Sequence, residues 1–210
     1  MIKILIVDDH AVVRQGVRQI LAATFPKAEF GEAATAAEAM MAIRKHAWNI
    51  VVMDVGLPGR GGLDALKDIK AEFPKLPVLI QSMYGEDQYA IRAIRAGASG
   101  YVTKDVSADV LAGAVQKVLN GGKYISPSLG EALASEAAGE QGKPRHEELS
   151  DREYQVLRLI GNGKSVKEIG LQLSLSVKTV STYRARILEK LNVGTTTELI
   201  HYALVNHIVE

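Results

Sequence analysis

Five short runs of apolar, mostly β-branched residues, each followed by a longer segment of helical periodicity, fill the first 120 residues. No other feature constrains the fold as strongly, because this alternation is the pattern of parallel βαβ units. The runs at 3–7, 28–32, 50–53, 77–81 and 100–102 read as strands, and helices are expected at 11–23, 35–46, 62–73, 86–96 and 107–120. Thr35 and Ser107 stand where helix N-caps belong. A continuous apolar run such as Ile4-Leu5-Ile6-Val7 suits a strand covered on both faces. The expectation is an α/β domain built on a doubly wound, five-stranded parallel sheet.

The texture changes after Asn120-Gly121-Gly122. A stretch rich in Gly, Ala, Ser and Glu reads as a linker over 121–147, with a short helix near 127–135. Residues 148–210 show no strand pattern. Their four helical segments, near 150–162, 165–173, 176–191 and 195–207, predict a second, smaller all-α domain. Two of these segments open with a capping box, Ser150 with Glu153 and Ser165 with Glu168. No apolar run approaches the roughly 18 residues of a membrane span, so no membrane association is expected. The N-terminus reaches Asp8-Asp9 too soon for a secretory segment. Cysteine is absent, which removes disulfides and thiolate chemistry and suits a cytoplasmic protein.

In an open parallel sheet, ligands bind outside the carboxyl ends of the strands. Asp8 and Asp9 follow the first run, Asp54 the third, Ser82 the fourth and Thr103-Lys104 the fifth. Three carboxylates, a hydroxyl and an ammonium are thus expected to share one small site. A hard divalent cation would relieve the repulsion among the carboxylates, and oxygen ligands with room for water favour Mg2+. With that charge and Lys104 neutralising an incoming phosphoryl group, one carboxylate can act as a nucleophile. Asp54 is the expected phosphoacceptor, since it ends the middle strand and precedes the turn-forming Gly56-Leu57-Pro58-Gly59. Asp9 is expected to hold the metal, and Asp8 to assist through water.

In the second domain, the segments around 165–173 and 176–191 are joined by a three-residue break, the spacing of a helix-turn-helix. Ile169, Leu173, Val180, Ile187 and Leu191 are expected in its core. Within 178–190, Lys178, Arg184, Arg186 and Lys190 face only Glu189, a local excess of three positive charges in a chain of net charge +1. Lys178, Thr179, Tyr183, Arg184, Arg186 and Lys190 suit phosphate contacts to double-stranded DNA, whereas Ser181, Thr182 and Ala185 are small enough to approach base edges.

Asp8-Asp9, Met53-Asp54-Val55-Gly56-Leu57-Pro58-Gly59 with Gly62-Leu63-Asp64, Ser82, Gly97-Ala98 and Gly100-Tyr101-Val102-Thr103-Lys104 resemble, in order, the flavodoxin-like receiver domain of response regulators. The resemblance implies that Asp54 takes a phosphoryl group from a sensor histidine kinase. It also implies that Asp9, Asp54 and the Gly56 carbonyl bind Mg2+, that Lys104 contacts the phosphate, and that Ser82 and Tyr101 form a switch pair. Leu149-Ser150-Asp151-Arg152-Glu153, Gly163-Lys164-Ser165-Val166-Lys167-Glu168-Ile169, Leu175-Ser176-Val177-Lys178-Thr179-Val180-Ser181 and Lys190-Leu191-Asn192-Val193 resemble the LuxR-type output domain. Joined to a receiver, that domain is the arrangement of the NarL/FixJ family. This implies a homodimer on DNA, with the segment 195–207 serving dimerisation, and RNA polymerase as a further partner. Departures are Leu57 where Met is common, Ser82 for Thr, Asp105 for Pro, Tyr183 for His and Thr196 for a basic residue.

Two other readings use the same residues. A haloacid-dehalogenase-like hydrolase also employs an Asp nucleophile, but Val55-Gly56 follow Asp54 where that chemistry needs an acid two residues on, so the chain is read as no enzyme. A helical module that binds protein or RNA independently of phosphorylation is the other, and its basic residues would then be an ordinary solvated face. His201 and His207, six apart without a third ligand, do not make a metal site.

Overall fold

A computed structural model describes residues 1–59, 61–83, 86–137 and 145–209, except for the side chains of 86–88 and 135–137. The chain divides into two compact units, Met1–Ala138 and Gly139–Glu210. The first contains strands β1 (Lys3–Val7), β2 (Glu29–Ala33), β3 (Ile50–Asp54), β4 (Val78–Ser82) and β5 (Gly100–Thr103). Between and after them run helices α1 (Ala11–Thr24), α2 (Ala36–Lys45), α3 (Gly62–Glu72), α4 (Glu86–Arg95), α5 (Ala108–Leu119) and α6 (Pro127–Ala137). All pairings are parallel, in the order β2-β1-β3-β4-β5. The expected doubly wound sheet is therefore present, with its order reversing beside β1. That reversal opens a crevice at the carboxyl ends of β1 and β3.

Alternation along the strands builds a core on each side of the sheet. Ile4, Ile6, Ile50, Val52, Leu79 and Val102 pack with Val17 and Leu21 of α1 and Leu111, Val115 and Val118 of α5. The residues between them, Leu5, Val51, Met53 and Ile80, are also fully buried, so the opposite face is covered as well. Thr35 and Ser107 cap α2 and α5 as expected, each accepting a backbone N–H from the first turn. The ladder runs one residue further than the sequence suggests, so that Asp54, Ser82 and Thr103 end their strands instead of following them. Because Val7 lies opposite Met53, the next residues, Asp8 and Asp54, emerge side by side.

The linker expected over 121–147 is corrected at its start. Tyr124 bridges Gly100 on the open edge of β5, donating its N–H to the Ser99 carbonyl at 2.9 Å and accepting from the Tyr101 N–H at 3.3 Å. Helix α6 then packs on α4, with Leu129 buried. An edge strand has unpaired backbone groups, and here the following chain pairs with them. Gly100 makes this possible, since a Cβ there would lie 2.7 Å from the Tyr124 carbonyl oxygen. Residues 138–144 of the expected linker lie outside the described residues, and Arg145–Glu148 form a 3-10 turn of the second unit.

The second unit continues with α7 (Asp151–Gly161), α8 (Val166–Leu173), α9 (Val177–Leu191) and α10 (Thr196–Val205). Both capping boxes form, Ser150 with Glu153 and Ser165 with Glu168. Ser176 and Thr195 cap the last two helices. Helices α8 and α9 meet through Ser174 at φ 54° and a turn so close that a Cβ on Gly170 would lie 2.8 Å from the Leu175 carbonyl oxygen. Ile169, Leu173, Val180, Ile187 and Leu191 are buried as expected, with Val156, Leu157, Leu199 and Ala203 around them. The buried His146 ring lies 3.1 Å from the Tyr202 hydroxyl and ties the 3-10 turn to α10. Among the described residues, no helix is long and apolar enough to cross a membrane.

Two glycines make opposite predictions. Gly100→Ala forces Tyr124 off the β5 edge and lowers stability by about 1–3 kcal/mol in urea unfolding. Gly113→Ala, within α5 and with nothing inside 4 Å of the added Cβ, raises it by about 0.5–1 kcal/mol.

Candidate functional site

At the crevice beside β1 the Lys104 ammonium lies between two carboxylates, 2.5 Å from Asp8 Oδ2 and 2.9 Å from Asp54 Oδ2. All three side chains are less than a tenth exposed. The fold brings them together from three strands: Asp8 follows β1, Asp54 ends β3, and Lys104 follows β5, where its N–H donates to the Ser82 carbonyl at 2.7 Å. Below Asp54 the chain doubles back under tight constraint. The Gly62 N–H donates to the Val55 carbonyl at 2.9 Å, and a Cβ on Gly62 would sit 2.1 Å from the Asp54 carbonyl oxygen. Helix α3 therefore starts against the Asp54 backbone only because residue 62 has no side chain.

The electrostatics follow from that burial. Desolvation pushes the Asp54 carboxyl above its ordinary value, although the Lys104 charge and the Gly56 N–H pull it the other way. For Lys104, desolvation works against the ammonium, but Asp54 and Asp8 outweigh it and hold its pKa above the usual lysine value. Lys104 therefore stays charged, while Asp54 is protonated more readily than an ordinary carboxyl.

Asp9 stands apart from this buried trio. It is exposed, and its Oδ1 lies 2.9 Å from His10 Nδ1, which is also 3.3 Å from Asp8 Oδ1. Ligand atoms of Asp8, Asp9 and His10 all fall within 4.8 Å of one another, a grouping that does not include Asp54. His10 and Arg14 were missed in the sequence reading. Arg14, one turn into α1, donates to the Asp8 carbonyl at 2.8 Å and to Glu32 at 3.1 Å, and so fixes the loop that carries the acids. The available signal was proximity alone, since both residues closely follow Asp8-Asp9.

Ser82 and Tyr101 share a face of the sheet, because Ile80, two residues before Ser82, lies opposite Tyr101. Both are 0% exposed, so this conformation already holds the aromatic ring inside.

In the second unit, α8 and α9 form the expected helix-turn-helix. Lys178, Ser181, Thr182, Ala185 and Arg186 are exposed, and Thr179, Tyr183 and Arg184 are half-buried. Several of the polar groups have partners inside the unit. Arg184 Nε donates to Thr196 Oγ1 at 2.9 Å, the Ser176 and Thr179 hydroxyls lie 2.7 Å apart, and Lys190 Nζ is 2.6 Å from Glu153 Oε2 and 3.3 Å from the Glu148 carbonyl. Lys190, expected as a DNA contact, thus also ties α9 to the start of α7. Burial pushes the Glu153 carboxyl up, but bonds from Lys190, the Ser150 N–H and the Ser150 hydroxyl outweigh it and hold the group below its usual value.

A 2-1-3-4-5 parallel sheet with a buried Asp–Lys–Asp cluster at its switch point, on the same chain as a helix-turn-helix unit, defines a two-domain regulator with a receiver-like acidic pocket. The comparisons agree. Residues 4–116 match the response regulator receiver domain, and residues 147–203 match the bacterial regulatory proteins of the luxR family. Response regulator UvrY of Escherichia coli K12 is 35% identical over 97% of this chain and 94% of its own length. Response regulator GacA of Pseudomonas aeruginosa is 36% identical over 100% and 99%. Among solved structures, RcsB of Salmonella enterica serovar Typhimurium, bound to promoter rprA with the phosphomimetic BeF3−, superposes with a TM-score of 0.64 at 26% identity, covering 96% of this chain and 97% of that one. The chain belongs to the response regulators that join a receiver to a LuxR-type helix-turn-helix, the NarL/FixJ family.

The Lys190–Glu153 pair yields a pH prediction. The Glu153 pKa is depressed below 4.5 by folding, so the pair stabilises the unit above that pH and ceases to as the pH falls through the folded value. Lys190→Met lowers stability by about 1–2 kcal/mol at neutral pH, since Lys190 is partly open to solvent. Chemical unfolding at a series of pH values should show that difference shrinking as the pH falls below the ordinary value of 4.5 and through the lower folded one.

Proposed function

We propose that this chain is a phosphorylation-controlled transcription regulator in which Asp54 is the phosphoacceptor. The carrying observation is the Lys104 ammonium set 2.9 Å from the Asp54 carboxylate in a buried crevice that also holds Asp8. In the transfer, the N–P bond of a phosphohistidine on a sensor kinase breaks as an Asp54 oxygen bonds to phosphorus. The released imidazole nitrogen takes up a proton. Lys104 faces the negative charge of the transferring group, and the Gly56 N–H orients the Asp54 carboxylate beneath it.

The donor set suits a hard divalent ion. Two buried carboxylates and the exposed Asp9 outnumber the one ammonium, and oxygen is the ligand atom such an ion prefers. Asp9, Asp54 and the Gly56 carbonyl would hold Mg2+, with Asp8 assisting through water. When bound, the ion supplies positive charge for the phosphoryl oxygens. A phosphoryl group on Asp54 offers acceptor oxygens at the end of β3, beside Ser82 at the end of β4. A bond from the Ser82 hydroxyl would couple the mark to Tyr101 on the same face.

We read the output as binding of double-stranded DNA by α9. Family membership supports this, and so does the likeness to RcsB, a protein described as promoter-bound in the presence of a phosphomimetic. Phosphorylation shifts a pre-existing equilibrium toward a form that binds paired half-sites as a homodimer through α10 and engages RNA polymerase. The chain is read as a regulator and not as a hydrolase, for Val55-Gly56 leave no acid two residues beyond Asp54.

Asp54→Asn tests the reading. The variant is expected to take up no label from a small-molecule phosphodonor and to bind duplex DNA with an affinity indifferent to that donor. Donor-stimulated binding that survives the substitution would overturn the assignment.

A further inference from the structure

The exposed face of α9 is short of groups that recognise bases by paired hydrogen bonds. Lys178, Ser181, Thr182 and Ala185 recur at the spacing of one helical face, and all four are exposed. Guanine is read best by Arg or Lys and adenine by Asn or Gln. Beyond Lys178, at the start of the helix, Ser181, Thr182 and Ala185 are none of those four residue types, and the exposed Arg186 lies at the edge of this face. Arg184 lies off the face, and its Nε donates to Thr196.

Thr182 changes character through one bond. Its hydroxyl donates to the Lys178 carbonyl at 3.0 Å, back along its own helix. With its proton given to the helix, the hydroxyl cannot donate to a base, and the methyl is left for apolar contact with a partner. Ala185, one turn on, offers a methyl and nothing else. The two are about 4.5 Å apart along the axis, comparable with the spacing of about 3.4 Å between stacked bases. Apolar contact by the methyl of Thr or Ala is the means by which a major-groove helix selects thymine.

We propose that Thr182 and Ala185 read thymine C5-methyl groups on neighbouring base pairs, so that the half-site of this regulator carries A·T pairs where the middle of α9 faces the groove. The proposal deepens, and rests on, the DNA-binding reading above. Specificity at those positions then comes from apolar contact, while Lys178 and Arg186 supply charge that is indifferent to sequence.

The test starts by selecting duplexes from a randomised pool with the full-length chain and a phosphodonor. Each thymine of the selected duplex is then replaced in turn by deoxyuridine, which removes only the methyl. At the positions facing α9, uracil is expected to weaken binding about fourfold for each methyl lost. Thr182→Val keeps the methyl and removes the hydroxyl, and should retain this preference. Thr182→Ser keeps the hydroxyl and should lose it at one position. Equal affinity for thymine and uracil duplexes overturns the proposal and leaves the DNA-binding reading standing, as does preference lost in the Val variant and kept in the Ser variant. Failure to select any duplex overturns both.

Discussion

The first unit depends on a lysine held between two aspartates away from water. Carboxylates buried side by side as Asp8 and Asp54 are would repel one another, and the Lys104 ammonium at 2.5 and 2.9 Å offsets that repulsion. None of the three is near another in sequence. They meet because a parallel sheet with its order reversed beside β1 delivers the carboxyl ends of β1 and β3 to one crevice and brings the end of β5 within reach. The two apolar layers that cover the sheet are in this sense a support for one small charged site. Gly62, pressed against the Asp54 backbone, shows how little room that support leaves.

Edge pairing is the second organising constraint. Strand β5 carries Tyr101 and leads to Lys104, and its outer edge is joined to the chain around Tyr124 instead of being left to solvent. Helix α6 continues onto α4. The chain that leaves the sheet is thus in register with the strand that holds half of the proposed switch pair. A displacement of Tyr101 would be felt by the backbone hydrogen-bonded to its own N–H.

The helical unit is organised differently, by caps and by polar groups turned inward. Side-chain oxygens cap α7, α8, α9 and α10, which fixes where each helix begins. On α9 several groups that look available for DNA in the sequence have bonds within the unit, among them Arg184, Lys190 and the Thr182 hydroxyl. A positive helix is therefore a poor measure of how many cations reach a phosphate. The face left for the groove is smaller and more apolar than its composition suggests.

Local pattern made much of this protein legible. Strand–helix alternation sufficed for the α/β sheet, the capping boxes at Ser150 and Ser165 located two helices, and Asp8, Asp54, Ser82 and Lys104 stood at predictable strand ends, because period and cap chemistry are encoded within a few residues. Tertiary structure alone decided which of those ends come together, that the chain near Tyr124 completes the β5 edge where Gly and Ser composition suggested a linker, and that His10 and Arg14 brace the acidic loop. It also decided that Lys190 pairs with Glu153 across the helical unit. Such facts depend on distances between residues far apart in the chain, and those distances exist only once burial of the apolar faces has set the elements against one another.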